Sequence, residues 1–201
     1  MRIGVTLNEV LRDYIGQLVY TYTKYIDPNM SITEGQVLDS NFLNYFKFKD
    51  IDEFNDFVYD EAALEIFGHA DQLHDNIISY FNTFLMDIED EEEHEIVLIS
   101  REVSRSIPAT LFFLSKVGCR AKNIKFISDY ESMWDDIDVL VTATPEAIKC
   151  KPSGKIAIKI NASYNGIIEA DHSLDSIIPF IRDEEFRNKI INTKITNYEE
   201  L

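Results

Sequence analysis

Apolar residues change their spacing once along the chain. From Asp13 to about Asp87 they recur every three or four positions: Ile15, Leu18, Val19, Tyr22 and Ile26, then Ile77, Ile78, Phe81, Phe84 and Leu85. That spacing places them on one face of a helix and predicts helices at both ends of the segment. Between them lies NFLNYFKFKDIDEFNDFVYDEAALEIFGHA, rich in aromatics, which predicts short helices with Asp52 as a cap and Gly68 as a stop. Further on, the pattern turns to short continuous apolar runs: Ile96-Val97-Leu98-Ile99, Ile124-Lys125-Phe126-Ile127, Val139-Leu140-Val141 and Ile156-Ala157-Ile158-Lys159-Ile160. With Ile3-Gly4-Val5 these make five strand candidates, and an amphipathic segment from Ser106 to Val117, ended by Gly118, separates two of them. Fully apolar strands alternating with helices predict a parallel sheet covered on both faces. Right-handed crossovers then give a three-layer α/β sandwich. The helical segment 13–90 interrupts this order after the first strand, so it reads as a cap inserted into a core formed by 1–12 and 91–201.

Charge narrows the choice of partners. The 201 residues carry 36 acidic and 19 basic side chains, a net charge of −17. Such a surface repels phosphate backbones, which argues against direct nucleic-acid binding. The densest block, Asp87-Ile88-Glu89-Asp90-Glu91-Glu92-Glu93, lacks the glycine turn and alternating ligands of a calcium loop and reads as a hydrated loop or helix end. No apolar run reaches the roughly 20 residues needed to span a bilayer, and the start MRIGVTLNEV lacks a secretory apolar segment. Cys119 and Cys150 stand in no metal-like spacing, which fits reduced thiols and a cytoplasmic setting.

In an open parallel sheet, ligands gather at the carboxyl ends of the strands. That brings forward Thr6 to Asn8, Ser100-Arg101, Ser128-Asp129 and Thr142-Ala143-Thr144. The segments IGVTLNEVLRD, EIVLISRE, LFFLSKVG, DVLVTATPEAI and GKIAIKINASYN, in this order, resemble the haloacid dehalogenase-like phosphatases. The resemblance is nearest to the 5'(3')-deoxyribonucleotidase-like branch of bacteria and large phages. It implies a Rossmannoid core with a helical cap after strand one. It also implies an Asp-x-Asp pair at the first strand end, a nucleophile and a proton shuttle, where this chain has Thr6 and Asn8. Acidic magnesium ligands would follow the DVLV strand, where Thr142 and Ala143 stand instead. A phosphate-binding hydroxyl is matched by Ser100. A lysine before the fourth strand is replaced by Met133, with Lys125 a second candidate inside a strand.

These replacements predict a chain without catalytic residues, metal or cofactor: a binding or structural protein rather than an enzyme, and, if phage-encoded, a virion or assembly component. Two alternatives remain. One is a phosphohydrolase with altered motifs, using Asp13 or Asp129. The other is a nucleotide-binding regulator using Ser100 and the backbone of 6–10. The aromatic load of the insertion (Tyr14, Tyr20, Tyr22, Tyr25, Phe42, Tyr45, Phe46 and Phe48) reads as cap core or as a contact surface for a protein partner or a second copy. Tyr22, Tyr45 and Phe48 are its candidate contacts.

Other chemistry-bearing residues have plainer readings. Glu9 and Asp13 suit the start of a helix. His69 and His74 are five apart, out of step for a helical metal pair, and His94 lies in the acidic block. His172 sits in EADHSLDSI, where a helix cap is expected around Asp171 to Ser173, and Ser163-Tyr164-Asn165 reads as a turn.

Overall fold

The protein is described by a computed structural model covering residues 1–91 and 94–192. The apolar runs become strands β1 (Arg2–Thr6), β2 (Glu95–Ser100), β3 (Ile124–Phe126), β4 (Val139–Thr142) and β5 (Ile156–Ile160), with a sixth, β6 (His172–Leu174), at one edge. The order is β3-β2-β1-β4-β5-β6, and every neighbouring pair is parallel. From β1 the chain builds outward through β2 and β3 on one side, then returns to β4 and continues outward on the other. The order therefore reverses beside β1, and the crevice there opens at the carboxyl ends of β1 and β4.

Successive residues of a strand face opposite layers. Ile3, Val5, Leu98, Val141 and Ile158 join the larger core, covered by α1 (Tyr14–Tyr25), α3 (Ile77–Glu91), α6 (Ile178–Arg182) and α7 (Glu184–Asn192). Val97, Ile99, Leu140 and Ala157 face a smaller one, closed by Met133, Trp134 and the short α5 (Pro145–Lys149). Gly4 belongs to this second layer. A Cβ there would lie 2.7 Å from Ile99 Cδ1 and 2.9 Å from Ile137 Cδ1, so the close fit requires glycine. The result is the three-layer α/β sandwich expected.

Four details differ from the sequence reading. The cap of α2 (Ile51–Asp56) is Asp50, whose carboxylate accepts from Glu53 N at 3.0 Å, and Asp52 lies inside the first turn. Asp171 to Ser173 form no helix cap: His172 begins β6, and Asp171 accepts from Ala157 N at 2.7 Å. Met133 is fully buried beside Trp134, so it fills core space rather than a strand end. Tyr22 also points inward, 5.1 Å from the ring of Phe46 and 5.4 Å from that of Phe48, with its hydroxyl accepting from Lys47 N at 2.9 Å.

The segment between α1 and α3 has only short helical elements, so aromatic rings supply the apolar area that long helices would otherwise give. Two π-helical turns, Phe57–Glu61 and Leu64–Gly68, follow α2, and Gly68 ends the second as expected. α4 (Ser106–Lys116) closes through Val117 onto Gly118 at φ +68°. The acidic block is the end of α3 as far as Glu91; Glu92 and Glu93 lie outside the described residues. No helix among the described residues is long and apolar enough to cross a membrane.

Candidate functional site at the strand ends

β1 and β4 end on two threonines. The Thr6 hydroxyl donates to Thr142 Oγ1 at 3.0 Å, and Thr144 N donates to the same oxygen at 3.0 Å. Neither residue offers a carboxylate. Two residues on, Asn8 turns its carbonyl oxygen to Arg12, which donates from Nε at 2.9 Å and from Nη2 at 2.5 Å.

Arg12 is entirely buried. Its guanidinium donates to Thr110 Oγ1 at 2.8 Å and to the Phe67 carbonyl at 3.3 Å, forms an ion pair with Glu102, and lies 5.0 Å and 5.3 Å from the rings of Phe67 and Phe113. Glu102 also accepts from the Ser100 hydroxyl. Burial pushes the Glu102 carboxyl up, and the adjacent guanidinium pulls it back down. A guanidinium keeps its charge in proteins, so the pair is read as ionised. Ser100, expected to hold a phosphate, has therefore spent its proton on Glu102.

Glu9 follows Asn8 in a left-handed conformation, φ +55°. Its Oε1 accepts from Tyr14 N at 2.9 Å and Ile15 N at 2.8 Å, the first amides of α1. Asp13 caps the same helix by accepting from Gly16 N at 2.9 Å. Burial raises the Glu9 carboxyl to about 7, with Asp13 and Glu34 adding to the rise and the two amide bonds opposing it. The helix-start reading of both acids holds. Asp129 accepts from Ser132 N at 2.7 Å, which holds its carboxyl low. Both Asp13 and Asp129 are thus engaged by backbone amides.

A cleft of about 280 Å³ opens at these strand ends, beside the segment that joins β1 to β2. Its polar lining includes Asn8, Arg101, Thr144 and Glu146, and Tyr14, Tyr59, Tyr130 and Tyr164 contribute aromatic walls. Arg101 lies 5.0 Å from the centre of the Tyr130 ring. Glu146 is the one carboxylate among the described lining residues, and Ser40, from the segment between β1 and β2, donates to its Oε1 at 2.7 Å. Burial holds the Tyr14 and Tyr164 phenols far above their usual range and raises Tyr59 to about 12, so the walls are neutral. Asn165 ties two strand ends together from behind, its Nδ2 donating at 2.8 Å to both the Ala143 and Ile160 carbonyls. The Ser163–Asn165 turn reading is thus met. A comparable groove of about 290 Å³ lies along the opposite end of the sheet, but its Arg2–Glu95 and Lys125–Asp136 pairs already satisfy one another. Lys125 is thereby removed as a cation for the strand ends.

Sequence reasoning brought Arg101 forward as a strand-end residue without giving it a task, and it passed over Arg12, Glu102 and Glu146. It also passed over Lys159, buried on β5 with Nζ donating to the Ile168 carbonyl at 2.8 Å. Among the described residues no three His, Cys, Asp or Glu side chains are grouped to hold a metal. Magnesium requires hard oxygen ligands, chiefly carboxylates. At Thr6, Asn8, Thr142 and Ala143 none is offered, and the Asn8 oxygen is occupied by Arg12, so the residues present do not fit that ion.

Known structures share this architecture. The chain is similar to a phosphonoacetaldehyde hydrolase-like protein from Oleispira antarctica (TM-score 0.62, 9% identity, 96% of this chain and 94% of that one). It is also similar to haloacid dehalogenase-like hydrolases from Burkholderia xenovorans (TM-score 0.55, 10% identity, 92% and 97%) and Bacteroides fragilis (TM-score 0.55, 15% identity, 90% and 99%). No protein-family model matches the chain, and no curated protein sequence does. The fold class is thus the haloacid dehalogenase-like Rossmannoid sandwich.

Two expectations are corrected. The chain was expected not to be an enzyme; its three named fold neighbours are hydrolase-like proteins, and they point the other way. Tyr22 was expected at a contact surface and is buried. Phe48 is half-buried against Phe54 and Phe57 at 5.5 Å and 5.3 Å, while the Tyr45 hydroxyl donates to Asp39 at 3.0 Å. Tyr22 and Phe48 thus pack within the aromatic cluster between β1 and β2, and Tyr45 stands at its half-buried rim.

Proposed function

We propose that the chain is a hydrolase of small phosphorylated molecules, nucleotides among them, working in the cleft at the strand ends with altered catalytic residues. The observation that carries this reading is that one cation, Arg101, and one carboxylate, Glu146, line the same aromatic-walled cleft at the order reversal of the sheet. Arg101 would hold the phosphoryl group, and the tyrosine walls a planar base or ring. In the step proposed, water attacks phosphorus and the bond to the ester oxygen breaks. Glu146 takes the proton from the water and returns it to the leaving oxygen. Ser40 keeps that carboxylate in place. In this reading the segment 13–90 acts as a cap over a core of 1–12 and 91–201.

The test is phosphate release from a panel of nucleoside monophosphates and an aryl phosphate. Arg101→Ala should raise KM by about tenfold or more, the loss of one charge-assisted contact. Turnover that is absent across the panel, or indifferent to Arg101, would remove the proposal.

A further inference from the structure

We propose that Arg12 locks Asn8 as a hydrogen-bond donor, so that the strand ends hold a phosphoryl oxyanion without a divalent metal. The inference deepens the proposed function and rests on the same cleft. A side-chain amide has an accepting oxygen on one side and a donating nitrogen on the other. Arg12 presents only N–H groups to Asn8, two of them on Oδ1. Flipping the amide would set donor against donor, so the chemistry of Arg12 decides the orientation.

Arg12 has little freedom to yield. It is sealed from solvent, held by Thr110, the Phe67 carbonyl and Glu102, and flanked by two phenyl rings. Asn8 itself is half-buried and lines the cleft, which leaves its Nδ2 as the end that meets a ligand.

The neighbouring hydroxyls add no negative charge. Thr6 and Thr142 share one hydrogen bond between two hydroxyls, and neither carries charge. Arg101 lines the same cleft. A strand end bearing carboxylates would repel a phosphoryl dianion unless a cation stood between them. At the ends of β1 and β4 an amide and two hydroxyls replace the acids, which leaves Glu146, with Arg101 in the same lining, as the carboxylate of the described cleft residues. The buried guanidinium fixes the polarity that a metal would otherwise supply.

The experiment measures inorganic phosphate binding by calorimetry, in chelator and in magnesium, for the full chain. The expected result is the same Kd in both conditions. Asn8→Asp should weaken binding in chelator by about tenfold or more, because a donor becomes a like charge, and magnesium should restore part of the loss. Asn8→Ala should weaken binding without creating any magnesium dependence. Thermal melting of both variants separates binding from folding.

Phosphate binding by the wild-type chain that requires magnesium would overturn the inference, and so would undiminished binding by folded Asn8→Asp in chelator. Metal-free binding without turnover of any ester would leave this inference standing and remove the proposed hydrolysis. Turnover that strictly requires magnesium would do the reverse.

Discussion

Replacing Glu9 by glutamine should stabilise the protein near pH 8 and leave it unchanged near pH 4. Burial raises the folded-state carboxyl from an ordinary 4.5 to about 7. The neutral form is therefore favoured in the fold, and ionisation costs stability. Sign and window follow from linkage: stability from this group is greatest below the unfolded value, falls as pH rises from about 4.5 to about 7, and is flat above. The interval of about 2.5 pH units corresponds to roughly 3 kcal/mol at 1.36 kcal/mol per unit. Glutamine keeps an oxygen for the Tyr14 and Ile15 amides and removes the charge that Asp13 and Glu34 oppose. For a chain of this length, 3 kcal/mol corresponds to a Tm shift of about 6–12 °C. Urea unfolding of both proteins at pH 4, 6 and 8 measures it. A difference that is constant across pH, or a variant less stable at pH 8, would refute the reasoning.

Two further outcomes concern the interior. Arg12→Leu should cost about 3–5 kcal/mol by leaving Glu102 buried and unpaired, and adding Glu102→Leu should recover part of that loss; urea midpoints of the single and double variants decide it. Tyr22→Ala should cost about 3–5 kcal/mol, as for other large buried aromatics, while Tyr45→Ala, on the half-buried rim, should cost clearly less, which thermal melts will show.

What the sequence disclosed follows from which forces are local. Strands β1, β2, β4 and β5 are continuous apolar runs buried on both faces, so the pattern alone placed them. β6 is three residues long and only partly buried at an edge, and HSL carries no period to read. Asp50 and Asp52 are equally good caps on paper; the backbone of Asp50 is extended, and that decides between them. Tyr22 was ambiguous because composition counts aromatics without saying which way they point. The site was harder still. Asn8 and Arg12 are four apart, but the groups that fix Arg12 lie 90 and 98 positions further on, at Glu102 and Thr110. No local pattern marks a buried arginine. The resemblance named the degenerate positions Thr6, Asn8, Thr142 and Ala143, and from them it drew an inert protein; it gave no hint of Arg101 and Glu146 in a shared cleft.

The most direct measurement is phosphate release from an aryl phosphate and from nucleoside monophosphates in the presence of chelator, wild type beside Glu146→Gln. Turnover by the wild-type chain should persist without metal and fall by about a hundredfold or more in the variant, the usual share of a general base. Equal rates in the two proteins, or no release by either while both remain folded, would contradict it.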